Sequence, residues 1–384
     1  MFRWFIVWII FCIGFVTCDE VEDRAQLQEA PHFIPENGTV VLPSDPHIDY
    51  LGRISFANPD APRFTYPGVS ISALFEGTSL NMIAKPMSGY FMVRIDNNDP
   101  FKIAFENAQD SIITLASKLP NGIHEVFIMN CVESFMPVAE FRGFLLDNDC
   151  YLHAKEQQFS HRLEFVGNSM TCGYGIESNN PSDTFSKDTE NHYYAYPALV
   201  SDRLNAQYIV VARSGIGIYR NYGGPVEGSI DCLPNMYDYT LYGDTTELWD
   251  FSRYMPDIVC VNLGTNDCVL EGYSMHLLKD AFSKFGQKLR VVYPDTKIIW
   301  MTGCMLHGKS LEDLQSVLNE VVQEANTAGD KSMYRFDFTP QTGDLGYGAG
   351  WHPSKRQHER MADELISFIK TIVKGSGGDT CFGG

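Results

Sequence analysis

Four short runs that are apolar at nearly every position, residues 163–166, 208–212, 257–263 and 297–302, alternate with longer segments whose apolar residues recur at helical spacing, 194–205, 274–289, 310–325 and 354–374. A strand with water on one face alternates polar and apolar residues, whereas a strand apolar throughout must be covered on both faces. Strands of that kind in alternation with helices dictate a parallel sheet held between two layers of helix. Ser354 with Gln357, and Ser310 with Asp313, read as helix starts, since a serine hydroxyl accepts from the N–H three residues on. In open sheets of this class ligands sit beyond the carboxyl ends of the strands, and the loops there are where chemistry is expected.

Residues 48–152 have another rhythm. Runs such as RFTYPGVSISALFEGTSLNMIA, GYFMVRIDNNDP, GIHEVFIMN and AEFRGFLLDND alternate over short lengths and break at Pro67-Gly68, Glu76-Gly77, Asn97-Asn98 and Asn121-Gly122. This pattern predicts an antiparallel, all-β jelly-roll sandwich ahead of an α/β domain at 160–374.

The two ends read differently again. An apolar run at 4–16 follows a single charge, Arg3, and precedes acid from Asp19. It is too short to span a bilayer comfortably, so residues 1–18 read as a secretory signal peptide and the protein as exported. Val-Thr-Cys at 16–18 also fits a loose lipoprotein box, in which Cys18 would be retained, acylated and anchored at a membrane surface. Residues 19–47 read as an acidic, proline-containing leader, in which Asn37-Gly38-Thr39 accepts a glycan only in a eukaryotic source. Residues 375–384 read as a flexible tail.

A formal charge of -19 with no Lys/Arg cluster argues against a nucleic-acid partner, because phosphate binding needs a basic surface. Of the ten cysteines, Cys12 and Cys18 fall in the signal segment. An oxidising compartment would permit disulfides among the rest, with a pairing that sequence alone does not reveal. The absence of Cys-x-x-Cys spacing disfavours structural zinc. Cys260, inside an apolar strand, reads as a small core residue.

Small polar sequences follow three of the strands: Gly167-Asn168-Ser169, Arg213-Ser214-Gly215 and Gly264-Thr265-Asn266-Asp267. A fourth piece, GAGWHPS, sets His352 just before the last helix. Each alone is the ordinary material of turns and caps. Together they supply a nucleophile, Ser169, and a base, His352, to take and return its proton. The backbone N–H groups of Ser169 and Gly215 and the side-chain amide of Asn266 would surround a developing oxyanion. Glycine at 215 would let the backbone approach a reacting carbonyl closely. No metal or organic cofactor is needed for such chemistry.

These blocks resemble those of the SGNH (GDSL-type) hydrolase superfamily. GNSMTCGYG, GTND and WHPS followed by a second histidine, His358, are similar to carbohydrate esterase family 2 within it, and the resemblance extends over about residues 48–374. It implies an N-terminal jelly-roll joined to a C-terminal SGNH domain, and removal of acetyl groups from plant polysaccharides such as xylan and mannans. It also implies that Trp351 lies against the sugar; Tyr174, Tyr219 and Tyr222, which lie just past the catalytic blocks, are further platform candidates by position. His358, six residues past His352, is expected on the helix surface or in a supporting role.

Two positions depart from the superfamily pattern. Asn168 stands where an aspartate is common, and Ala349 stands three residues before His352, where most members carry the acid of a triad. The resemblance implies a Ser-His dyad instead, the ring N–H being held by a backbone carbonyl, unless Asp344 reaches back from its loop. The same constellation would serve an acyltransferase or an esterase for another small acyl group. A carbohydrate-binding protein without turnover is the rival of a different class.

Overall fold

The apolar runs form a five-stranded, all-parallel sheet in the spatial order Ala206–Ala212, His161–Gly167, Ile258–Asn262, Lys297–Thr302, Met333–Asp337. The computed structural model describes residues 38–374 apart from 110, 135–136 and 157–158; the signal segment, Cys18, most of the leader with Asn37, and the tail lie outside the described residues.

Helices Tyr196–Arg203 and Lys355–Lys374 cover one face of the sheet, packing Tyr196, Val200, Leu365 and Ile369 on Leu163, Phe165 and Ile299. Helices Met275–Val292 and Gly308–Thr327 cover the other, where Phe282, Leu289, Leu314 and Leu318 meet Val259, Val261 and Trp300. Burying each such side chain contributes about 1.5–3 kcal/mol, which fixes the helices to the sheet. Cys260 is fully buried between these layers, in the core position its strand implied.

The helix starts divide. Ser354 Oγ accepts from Gln357 N–H at 3.2 Å, and Ser274 Oγ accepts from Leu277 N–H at 3.3 Å. Ser310 is no cap: its helix already begins at Gly308, and the Ser310 hydroxyl donates back to His307 O. The strand Met333–Asp337 has no counterpart among the apolar runs. It is an edge strand with one neighbour, only Met333 is buried, and Arg335 and Asp337 pair on its exposed side.

The N-terminal part is a sandwich of two antiparallel sheets. One pairs Ala139–Leu146 with Thr39–Val41 and Leu80–Ala84, and the other runs Ser70–Gly77, Gly122–Asn130, Gly89–Ile95, Phe101–Phe105. Phe75, Phe91 and Val126 of one face meet Met82, Phe141 and Phe144 of the other. Thr39–Val41 falls inside the stretch read as leader; three residues beside Pro43 are too few to show a period, and only pairing with Ala139–Leu146 makes them a strand.

The sandwich and the α/β part are joined through polar contacts, two of them buried and one half-buried. Arg53 Nη2 reaches Glu164 Oε1 at 3.2 Å, with both side chains fully buried. His192 N–H donates to Cys131 O at 2.9 Å, and Lys102 pairs with Glu177 at 2.6 Å. The seven described cysteines are free thiols, all but Cys150 buried.

Candidate active site

The strand order reverses direction of growth at His161–Gly167, which has Ala206–Ala212 on one side and Ile258–Asn262 on the other. The loops leaving these three strands therefore converge at a topological switch point, the place beyond the carboxyl edge where ligands sit in open sheets of this class. They are stitched together: Arg213 N–H donates to Gly167 O at 3.4 Å, and Asn266 Nδ2 donates to Ile216 O at 2.8 Å. Asn266 is buried, its amide turned onto the loop that carries Gly215.

Ser169 opens the one-turn helix Ser169–Cys172, capped by Asn168, whose Oδ1 accepts from Met170 N–H at 3.1 Å. Asparagine thus does the capping work of the aspartate it replaces. Ser169 N–H has no carbonyl four residues back to bond inside the helix. The following Gly-Tyr-Gly turn serves the histidine. Gly175 is left-handed at φ 58°, and a Cβ there would meet Ala349 Cβ at 2.5 Å, so glycine admits the His352 loop. Tyr174 stacks on the His352 ring with centroids 4.1 Å apart and packs on Phe185 at 4.9 Å.

His352 Nε2 lies 2.9 Å from Ser169 Oγ. Its Nδ1 lies 3.1 Å from both Ala349 O and Gly350 O. Carbonyl oxygens only accept, so the ring proton belongs on Nδ1 and Nε2 is left to take the serine proton. Trp351, between these carbonyls and the ring, holds φ 60°. That conformation costs a tryptophan about 1–2 kcal/mol, strain of the kind held in place at functional sites. Asp344 does not reach the histidine: its carboxylate takes the Thr342 hydroxyl at 2.6 Å and pairs with Arg360 at 3.4 Å.

Desolvation pulls His352 down from the ordinary 6.5 to about 4, against a smaller upward pull from the two carbonyls. A histidine lowered in this way stays neutral, and competent as a base, until the pH falls well below 6.5. kcat/KM for a neutral ester should therefore persist into weakly acidic solution and fall through a limb near pH 4. A pH–rate profile with its acid limb at 6.5 or above would contradict this geometry.

Other sequence expectations divide. Gly215 is needed for its backbone rather than for space, since its φ is 76° and an added Cβ would meet only Tyr222 Cβ at 4.0 Å. Tyr219 is no platform: it is 8% exposed, and its hydroxyl accepts from Ser274 N–H at 2.8 Å. Tyr174 is committed to His352. Tyr222, 61% exposed, and Trp351, 57% exposed, offer free ring surface, and Tyr222 N–H donates to Gly215 O at 2.8 Å. His358 is not on the helix surface but fully buried, its Nδ1 accepting from Tyr196 N–H at 3.2 Å, and burial lowers it to about 3.

Asp267 was not foreseen in any role. Its buried carboxylate accepts from the N–H groups of Ile218 at 3.0 Å, Tyr219 at 2.8 Å and Arg220 at 2.8 Å, which fastens the loop after Gly215. Burial raises its affinity for a proton, and those three donors counter the rise. An acid directly after Asn266, with no nearby cation in sequence, was the available signal.

Residues 50–155 match the carbohydrate esterase 2 N-terminal family, and residues 165–360 match the GDSL-like lipase/acylhydrolase family. The chain is 34% identical over 329 residues to the cellulase/esterase CelE of Acetivibrio thermocellus, covering 85% of this chain and 39% of CelE. It is 28% identical over 339 residues to an acetylxylan esterase/glucomannan deacetylase of Cellvibrio japonicus, covering 87% and 91%. Among solved structures, a family two carbohydrate esterase from Clostridium thermocellum in complex with cellohexaose superposes with a TM-score of 0.79 at 33% identity, over 85% of this chain and 99% of that one. A family two carbohydrate esterase from Cellvibrio japonicus gives 0.78 at 26% identity, over 88% and 98%. With both halves matched and the serine and histidine in contact, the chain belongs to the family two carbohydrate esterases, carboxylic ester hydrolases that set a β-rich domain ahead of a GDSL-like one.

Proposed function

We propose that this chain is an exported O-acetyl esterase that deacetylates plant polysaccharides or oligosaccharides such as xylan and glucomannan. The observation that carries the chemistry is the 2.9 Å contact of Ser169 Oγ with His352 Nε2, backed by carbonyl oxygens at Nδ1. Ser169 Oγ attacks the acetyl carbonyl as its proton passes to Nε2. The oxyanion is met by Ser169 N–H, Gly215 N–H and Asn266 Nδ2. The imidazolium then protonates the departing sugar oxygen, leaving acetyl on Ser169. Water, deprotonated by the same nitrogen, releases acetate. Each oxyanion donor is typically worth ~3 kcal/mol of transition-state stabilisation.

The apolar run at residues 4–16 supports export. A glycan substrate is supported by the exposed rings of Trp351, next to His352 in the chain, and Tyr222, bonded to Gly215, since sugars pack their C–H faces on such rings, and by kinship with an acetylxylan esterase/glucomannan deacetylase. Trp351→Ala and Tyr222→Ala are each expected to raise KM for acetylated xylan or glucomannan roughly 10-fold, about 1.4 kcal/mol. The KM for p-nitrophenyl acetate, which carries no sugar to lie on either ring, should stay within about twofold. Equal losses on both substrates would remove the support for a glycan.

A further inference from the structure

Just behind the oxyanion loop two carboxyl groups from different parts of the chain are buried together. Glu133 follows the sandwich strand Gly122–Asn130 and is 6% exposed; Glu190 precedes the cap Asn191 in the α/β part and is 0% exposed. Glu133 Oε2 accepts from Ser214 N–H at 2.8 Å, one residue before Gly215. Glu133 N–H donates to Glu190 Oε2 at 3.3 Å. A ligand oxygen of each, with the buried Cys172 Sγ, falls within 4.8 Å of the others.

We propose that Glu133, supplied by the β-sandwich, is a positioning residue that sets the oxyanion loop through Ser214 N–H, and that Glu190 is its neutral, proton-bearing partner. The inference rests on the esterase reading of the site. It follows from what each oxygen can do. Two adjacent carboxylates out of water cannot both be ionised. Glu133 has a donor aimed at it from Ser214, which favours the anion there. Glu190 Oε1 is buried with no hydrogen-bond partner, and a charge left on such an atom would be costly, so the proton belongs on Glu190. Burial first, and then the Glu133 charge, raise Glu190 well above the usual carboxylate range; the hydrogen bond from Glu133 N–H and, after it, Lys187 pull the other way. The remaining titratable groups facing the pair are Arg213, Cys172, Tyr174 and Tyr242. Burial first, and then the Glu133 charge, hold Cys172 as the thiol.

The consequence is that the sandwich domain takes part in setting the reaction geometry. Displacing a loop donor by a fraction of an ångström lowers turnover more than binding. Glu133→Ala is expected to lower kcat for p-nitrophenyl acetate roughly 10- to 100-fold with KM within about threefold. Glu133→Gln keeps the acceptor for Ser214 and should recover most of that loss. If Glu133→Ala fails to fold, Glu133→Asp, which withdraws the carboxylate by one methylene, should show the same kcat loss. Glu190→Gln presents an N–H where the acid presents its O–H, so it should turn over far faster than Glu190→Ala.

Wild-type kcat in Glu133→Ala or Glu133→Asp would overturn the positioning role, as would Glu133→Gln no faster than Glu133→Ala. Glu190→Gln as slow as Glu190→Ala would overturn the neutral partner and make Glu190 an anion or a metal ligand. Turnover by the unaltered chain separates the two levels: without it the esterase reading itself falls, and with it only this inference is at stake.

Discussion

Replacing His352 by alanine should lower kcat ~10⁴- to 10⁶-fold, and replacing Asp344 by alanine should change it less than about twofold. The contrast follows from where the acids are. His352 is the base in contact with Ser169, and its Nδ1 is held by Ala349 O and Gly350 O. Asp344 is half exposed and bonded to Thr342 and Arg360. Removing a triad acid costs ~10⁴-fold because the imidazole loses its tautomer and its countercharge. A carbonyl fixes the tautomer and supplies no charge. The lowered affinity of His352 for a proton is the same fact in another form, since no neighbouring anion offsets desolvation. Steady-state kinetics on p-nitrophenyl acetate with both variants measures the difference. A loss of ~10³-fold or more in Asp344→Ala would restore a triad and refute the dyad.

The second large effect concerns stability. Glu164 lies on His161–Gly167, which is paired on both sides in the parallel sheet, and Arg53 enters from the sandwich. Neither side chain is exposed, so each charge depends on partners. Arg53 Nη1 donates to Tyr237 O and, at 3.2 Å, to Tyr239 O; Glu164 Oε2 accepts from Tyr237 OH at 2.9 Å. The guanidinium also lies 4.5 Å from the Tyr237 ring centroid. Arg53→Ala or Glu164→Ala leaves the other charge buried alone, and should cost about 3–5 kcal/mol in urea unfolding. Arg53→Met with Glu164→Leu together should recover most of that loss, because a hydrophobic pair carries no desolvation penalty. Single-variant losses below about 1 kcal/mol would mean that water reaches the pair.

What could be read from the sequence, and what could not, divides along physical lines. The contact of Ser169 with His352 was legible because each ends or precedes an element with a strong hydrophobic period, and a parallel sheet gathers its strand ends at one edge. The covering helices were legible for the same reason. Met333–Asp337 was not, because an edge strand need not be apolar on both faces. Among the tyrosines the sequence had no means to choose: Tyr219 and Tyr222 sit three residues apart in one loop, and only the fold turns the first inward to Ser274 and the second out to solvent. Glu133 was least legible of all. It stands 81 residues from Ser214, in another domain, and nothing local to either marks their contact.

The central claim, serine-based release of acetate from glycans, is met most directly by assaying acetate set free from acetylated xylan and glucomannan by the unaltered chain beside Ser169→Ala. The account predicts release by the former and a rate at least ~10⁴-fold lower in the latter, with both proteins folded. Equal release by Ser169→Ala, or none from an unaltered chain that binds these glycans, would contradict it.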